Sequence, residues 1–259
     1  MIPIVMHHGL FGHGDVQIGP LKFHYFRGID KAIMAAGHPV IVTHVHPTSS
    51  VENRSKQLKE VMLRRLRDLG LAGQKVILIG HSMGGLDVRY AVSKLGLDQH
   101  VAAVVTVTSP HRGSSFADWV MQNLGHRLGG IQLAKLMNWD LGAAADLTTE
   151  GCRRFNETVH DVPGIPYFSV SASRPWSKMP AFAMFSHRII SAIEGDNDGL
   201  VSVKSSIWGE HLGVWSADHW HTINRRFSLE RNHPTGDIAP FWIKLLDHVK
   251  ARLGEPCLV

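Results

Sequence analysis

The sequence predicts an α/β fold with a mostly parallel central sheet flanked by helices. Short apolar runs such as Val76-Ile77-Leu78-Ile79 and Val101-Ala102-Ala103-Val104-Val105 read as buried strands. They alternate with segments whose apolar residues recur at helical spacing, as crossover connections require. The chain has 259 residues, 44% hydrophobic and 19% charged, which supports a sizeable core and excludes a disordered polymer.

Taken in order, residues 2–6 read as a strand and 25–36 as a helix stopped by Gly37. A second strand is expected over 40–43. Ser49 or Ser50 caps a helix that runs to about residue 69 and closes at Gly70. A strand over 76–79, a helix over 86–94 and a strand over 101–108 follow. A strand over 167–171 and a closing helix over 241–253 complete the set.

Between residues 114 and 164 the pattern changes. Phe116, Trp119, Val120, Met121 and Leu124 suggest one amphipathic helix; Ile131, Leu133, Leu136, Met137 and Trp139 suggest another. About 50 residues is small for a domain. This stretch therefore reads as a helical insertion within one domain spanning 1–259. It either packs on the sheet or forms a movable apolar lid.

Composition narrows the function classes. The net charge is +5, but the basic residues Lys56, Lys59, Arg64, Arg65 and Arg67 interleave with Leu58, Val61, Met62, Leu63 and Leu66. That is the solvated face of an amphipathic helix, so no nucleic-acid partner is expected. No apolar run is long enough for a transmembrane helix, and the first residues carry no basic, signal-peptide-like segment. A cytoplasmic location is the expectation from this. Cys152 and Cys257 form neither a CxxC pair nor a disulfide framework. His44 and His46, and His219 and His221, alternate without a third and fourth ligand, so no zinc site is expected.

The chemistry concentrates at Val76-Ile77-Leu78-Ile79-Gly80-His81-Ser82-Met83-Gly84-Gly85. A strand entering Gly-x-Ser-x-Gly and leaving as a helix is a nucleophile elbow: the serine sits on a strained turn, and glycines two residues to either side relieve the crowding. Ser82 is the expected nucleophile. Such a serine needs two N–H donors for the oxyanion of its tetrahedral adduct. Met83 N–H follows the nucleophile. Leu10 N–H, in the His8-Gly9-Leu10-Phe11-Gly12 loop after the first strand, is the second. A base and an acid should follow in the order Ser, Asp or Glu, His. The loop Ser216-Ala217-Asp218-His219-Trp220-His221 is the natural place for the base. The acid candidates are Asp196 and Asp198 in a sharp turn, with Asp161 a weaker rival.

These residues resemble the bacterial true lipases, the family-I triacylglycerol lipases of the α/β-hydrolase superfamily. The resemblance rests on His8-Gly9-Leu10, Phe23-His24-Tyr25-Phe26-Arg27-Gly28-Ile29, Gly80-His81-Ser82-Met83-Gly84, Asn197-Asp198-Gly199-Leu200-Val201, and Asp218-His219 followed by Ile223-Asn224. It implies an α/β-hydrolase fold with a helical lid insertion. It also implies Asp198 as the triad acid and His219 as the base. The implied activity is cleavage of carboxylic esters with apolar acyl chains, through an acyl-enzyme and without an organic cofactor. Partners would be an ester or lipid substrate and, transiently, a lipid interface. The family often carries a structural Ca²⁺ held partly by an aspartate two residues after the catalytic histidine. Here that residue is His221, and residues 162–193 contain no Asp or Glu. The Ca²⁺ site is therefore expected to be lost, leaving no metal. The family disulfide also has no counterpart. Two other functions use the same framework: an acyltransferase with the same triad, and a non-catalytic hydrolase-fold binding protein.

Overall fold

The computed structural model describes residues 1–12, 16–18, 21–126, 141–227 and 236–254. Among the described residues the strands are β1 (Ile4–His7), β2 (Val16–Ile18), β3 (Leu21–Phe23), β4 (Val40–Val42), β5 (Val76–His81), β6 (Val101–Val107), β7 (Tyr167–Ala172) and β8 (Glu210–Trp215). The α-helices are α1 (Ile29–Ala35), α2 (Val51–Asp68), α3 (Gly84–Lys94), α4 (Ser115–His126), α5 (Leu141–Asp146), α6 (Thr149–Thr158), α7 (Met184–Ile193), α8 (Val203–Ser206) and α9 (Ala239–Arg252). Six strands form one parallel sheet in the order β4-β1-β5-β6-β7-β8. β2 and β3 pair separately as an antiparallel ribbon.

The sheet is buried on both faces, so its inner strands are continuously apolar rather than alternating. Ile4, Met6, Ile77 and Ile79 pack on one face with Phe26 before α1, Ile29 and Ile33 of α1, and Trp242 and Leu246 of α9. Val5, Val76 and Leu78 face the opposite core of Leu58, Met62, Leu66, Val88 and Ala91, from α2 and α3. The helix α2 begins where Ser50 accepts a bond from Asn53 N–H, and Gly70 follows its end with φ +68°. Lys56, Arg64, Arg65 and Arg67 are exposed on it, as a solvated face requires.

The expected strands and the helices of the sheet layers are present with small shifts at their ends. β5 runs two residues further than expected, through Gly80 to His81. β8, α7 and the β2–β3 ribbon were not legible. β8 is an edge strand whose residues are mostly half-exposed, so it lacks a buried apolar run. In the inserted stretch the first expected helix is α4. The second, over Ile131 to Trp139, lies outside the described residues, as does Cys257. Among the described residues no helix is long and apolar enough to cross a membrane.

Candidate active site

Ser82 follows β5 in the left-handed region, with φ 56°. A non-glycine residue there costs about 1–3 kcal/mol and persists only where its surroundings dictate it. Here Ser82 N–H donates to Val107 O of the adjacent strand at 2.9 Å, and Gly85 N–H donates to Ser82 O at 2.9 Å. The flanking glycines are required by contact. A Cβ on Gly80 would stand 2.4 Å from Gly84 O, and one on Gly84 would stand 2.8 Å from His7 O. Ser82 is partly exposed, while Met83 behind it is buried at the start of α3.

The loop after β1 closes on this elbow. A Cβ on Gly9 would meet Ser82 Cβ at 2.7 Å. Gly9 N–H donates to the Tyr25 hydroxyl at 3.0 Å. Among the described residues, neither Leu10 N–H nor Met83 N–H donates to a backbone acceptor. Beneath the loop, Arg54 is fully buried. Its guanidinium donates to Asp87 Oδ2 at 2.8 Å, His8 O at 2.6 Å and His46 O at 2.8 Å. Burial pushes the Asp87 carboxyl up to about 6, against the pull of Arg54. Burial, reinforced by Arg54, holds His7 and His8 well below the usual imidazole range. Arg54 escaped notice in the sequence although a signal existed: it stands on the α2 stripe of Leu58, Met62 and Leu66, where a charge must be paired.

The turn after α7 carries Asp198, fully buried. Asn197 pins the turn: its Nδ2 donates to Ser191 Oγ at 2.9 Å and its Oδ1 accepts Gly199 N–H at 2.9 Å. Asp198 Oδ1 accepts the N–H groups of Leu200 and Val201 at 3.0 and 2.8 Å. Its Oδ2 lies 2.7 Å from His219 Nδ1, and His219 N–H donates to Asp198 O at 2.9 Å. An ionised carboxylate only accepts, so Nδ1–H donates to Oδ2 and Nε2 is the ring nitrogen not engaged by the acid. The His219 ring packs on that of His81, the residue before Ser82, with centroids 4.9 Å apart.

The rival residues stand elsewhere. Asp196 is exposed. Asp161 accepts from Trp208 Nε1 at 2.9 Å. His221 Nε2–H donates to Gly236 O at 2.9 Å.

The groups beside the base loop do not fit a Ca²⁺ ion. Asp218 Oδ1 accepts the N–H groups of Trp220 and His221, and its Oδ2 faces the buried Arg174 guanidinium at 3.4 Å. That carboxylate already meets a cation, and a protonated imidazole nitrogen offers no lone pair to an ion that seeks oxygen ligands. Among the described residues no group of three or more His, Cys, Asp or Glu could hold a metal. Cys152 is buried and reduced, and burial pushes its thiol up to about 12.

A family model described as alpha/beta hydrolase fold matches residues 2–132, half of the chain. The protein belongs to the α/β-hydrolase family. This hydrolase is 30% identical over 250 residues to triacylglycerol lipase 2 of Saccharomyces cerevisiae, covering 90% of this chain and 75% of that one. It is 31% identical over 243 residues to a triacylglycerol lipase of Vibrio cholerae, covering 82% and 74%. The fold also matches the crystal structure of Staphylococcus hyicus lipase with a TM-score of 0.75 at 17% identity, over 98% and 96% of the two chains. Kinship and fold together make this hydrolase a carboxylic ester hydrolase.

Proposed function

We propose that the protein hydrolyses lipid esters with apolar acyl chains, of the triacylglycerol type, through a Ser82–His219–Asp198 triad. The observation that carries this reading is the 2.7 Å contact between His219 Nδ1 and Asp198 Oδ2, on a ring packed against the residue preceding Ser82. Ser82 Oγ attacks the ester carbonyl carbon while His219 Nε2 takes its proton. Leu10 and Met83 N–H groups bind the resulting oxyanion; losing one such donor costs about 10²–10³ in kcat. The adduct collapses, the C–O bond breaks, and His219 returns the proton to the leaving alcohol. Water then attacks the acyl-enzyme with His219 as base, releasing the acid and restoring Ser82. Asp198 stays ionised throughout and stabilises the imidazolium. No organic cofactor or metal takes part.

Apolar substrates suit the surroundings. Phe11 beside Leu10 is exposed, and Phe182 stacks edge-on to Trp220, the neighbour of His219, at 4.7 Å. Trp119 of α4 is exposed and packs on Phe185 of α7 at 4.9 Å. These rings support transient contact with a lipid interface, to which residues 114–164 contribute Trp119. The test is labelling by a fluorophosphonate probe together with turnover of a p-nitrophenyl acyl ester. Wild-type protein reacts at Ser82 and turns over; Ser82→Ala does neither while remaining folded. Ample turnover by the folded alanine variant overturns the reading.

A further inference from the structure

We infer that Tyr25, His81 and Thr222 form one directed hydrogen-bond chain that couples the oxyanion loop to the loop bearing His219, making all three positioning residues for the reaction. The inference rests on the function proposed above. Its members are Gly9 N–H to Tyr25 Oη at 3.0 Å, Tyr25 Oη to His81 Nδ1 at 2.8 Å, His81 Nε2 to Thr222 Oγ1 at 2.8 Å, and Thr222 Oγ1 to His219 O at 2.6 Å.

The His219 end and a neutral His81 ring fix the direction of every bond. Gly9 N–H can only donate, so Tyr25 Oη accepts there, and with the His81 proton on Nε2 the Tyr25 hydroxyl donates to Nδ1. His219 O can only accept, so Thr222 spends its hydrogen there and receives from His81 Nε2–H. His81 is thereby confined to one neutral tautomer, with the proton on Nε2. Nε2 also lies 3.3 Å from Thr108 Oγ1, a longer contact compatible with the same donor. His81 is fully buried, and burial, together with nearby His219, keeps its ring well below the ordinary imidazole range. Burial pushes the Tyr25 hydroxyl up to about 12, so it keeps its hydrogen. Both groups thus hold the protonation states that the chain requires.

The consequence concerns both halves of the machinery. One end of the chain sets Gly9, where an added Cβ would stand 2.7 Å from Ser82 Cβ; the other sets the carbonyl of His219. Interrupting it at either end frees the same ring, so the two ends are not independent even though they share only His81. A buried hydrogen-bonded chain of this kind acts as a unit.

The test uses Tyr25→Phe, Thr222→Val, the double variant and Thr222→Ser in the full chain. Each single loss lowers kcat about tenfold at nearly constant KM, the scale of one buried hydrogen bond in the transition state. The double variant loses about as much as either single, and Thr222→Ser keeps near-wild-type kcat because its hydroxyl remains. Losses that multiply in the double variant, or a serine variant as slow as valine, overturn the inference. A measurement on wild-type protein stands independent of variant folding: ¹⁵N shifts of the His81 ring at neutral pH report hydrogen on Nε2 and none on Nδ1. The opposite tautomer overturns the chain. Fluorophosphonate labelling of wild-type Ser82 separates the two failures: an unlabelled, inactive wild type refutes the proposed function, whereas a labelled, active one with multiplying losses refutes the chain alone.

Discussion

Replacing Gly9 by alanine tests how closely the proposed oxyanion loop must approach Ser82. The new methyl would stand 2.7 Å from Ser82 Cβ, 3.0 Å from His81 O and 3.0 Å from Tyr25 Oη, where ordinary contact begins at 3.4 Å. None of these neighbours is the free end of a flexible chain, so the loop itself gives way. Removing the worst overlap requires a displacement of about 0.7 Å or more, and misplacement on the scale of 1 Å costs about 10² in rate. It also lengthens the Gly9 N–H bond to Tyr25. An oxyanion donor must lie 2.7–3.1 Å from its target, and Leu10 N–H is carried away with its neighbour. The expected result is a kcat lower by about 10² with KM changed much less, because the lost interaction exists mainly in the transition state. Overpacking of this kind costs about 1–3 kcal/mol of stability, so the variant stays folded. Steady-state kinetics on a soluble p-nitrophenyl ester, with a thermal melt as control, provide the assay. A folded Gly9→Ala protein with kcat within about twofold of wild type would refute the proposed role of this loop.

The two late histidines separate cleanly. His219→Ala should lose about 10³ or more in kcat, while His221→Ala, whose ring serves a backbone carbonyl, should keep most activity; the reverse result moves the base. Burial holds His7, His8, His81 and His111 neutral in the fold, whereas the unfolded chain protonates them near 6.5. Their stabilisation is therefore present above pH 6.5 and is lost as pH falls, about 1 kcal/mol per ring between pH 6.5 and 5.5, or about 4 together. Asp87, raised to about 6, offsets somewhat less than about 1 of this over the same interval. Urea unfolding at the two pH values measures the difference, and equal stability would contradict the neutral burial of these rings. Chelation with EDTA should leave both ester turnover and melting temperature unchanged, because Asp218 already faces Arg174 and His221 Nε2 already serves Gly236 O.

The elbow was readable because its chemistry is local. Strand, glycine spacing and helix occupy ten consecutive residues, and each glycine answers a contact within that span or with the neighbouring strand. The proposed acid and base were readable as loops but not as individuals. Asp196 and Asp198 have the same chemistry in one turn, and only Asn197 and the N–H groups of Leu200 and Val201 decide which carboxylate is buried. Resemblance selected Asp198 and His219, and the short contact between them joins loops 21 residues apart in sequence. The Tyr25–His81–Thr222 chain was out of reach, since its links span 56 and 141 residues. β8 escaped for a different reason: an edge strand that buries little leaves no apolar signature.

Thr108 N–H donates to Val170 O at 2.8 Å, stapling the start of the long excursion between β6 and β7 to the strand on which it ends. Departure and return are thus fixed as neighbours before any residue of the excursion is chosen. Ser82, Asp198 and His219, the proposed triad, all lie outside it. Substitution within this stretch therefore leaves its two ends in register with the sheet, a separation of connection from framework built into the strand order.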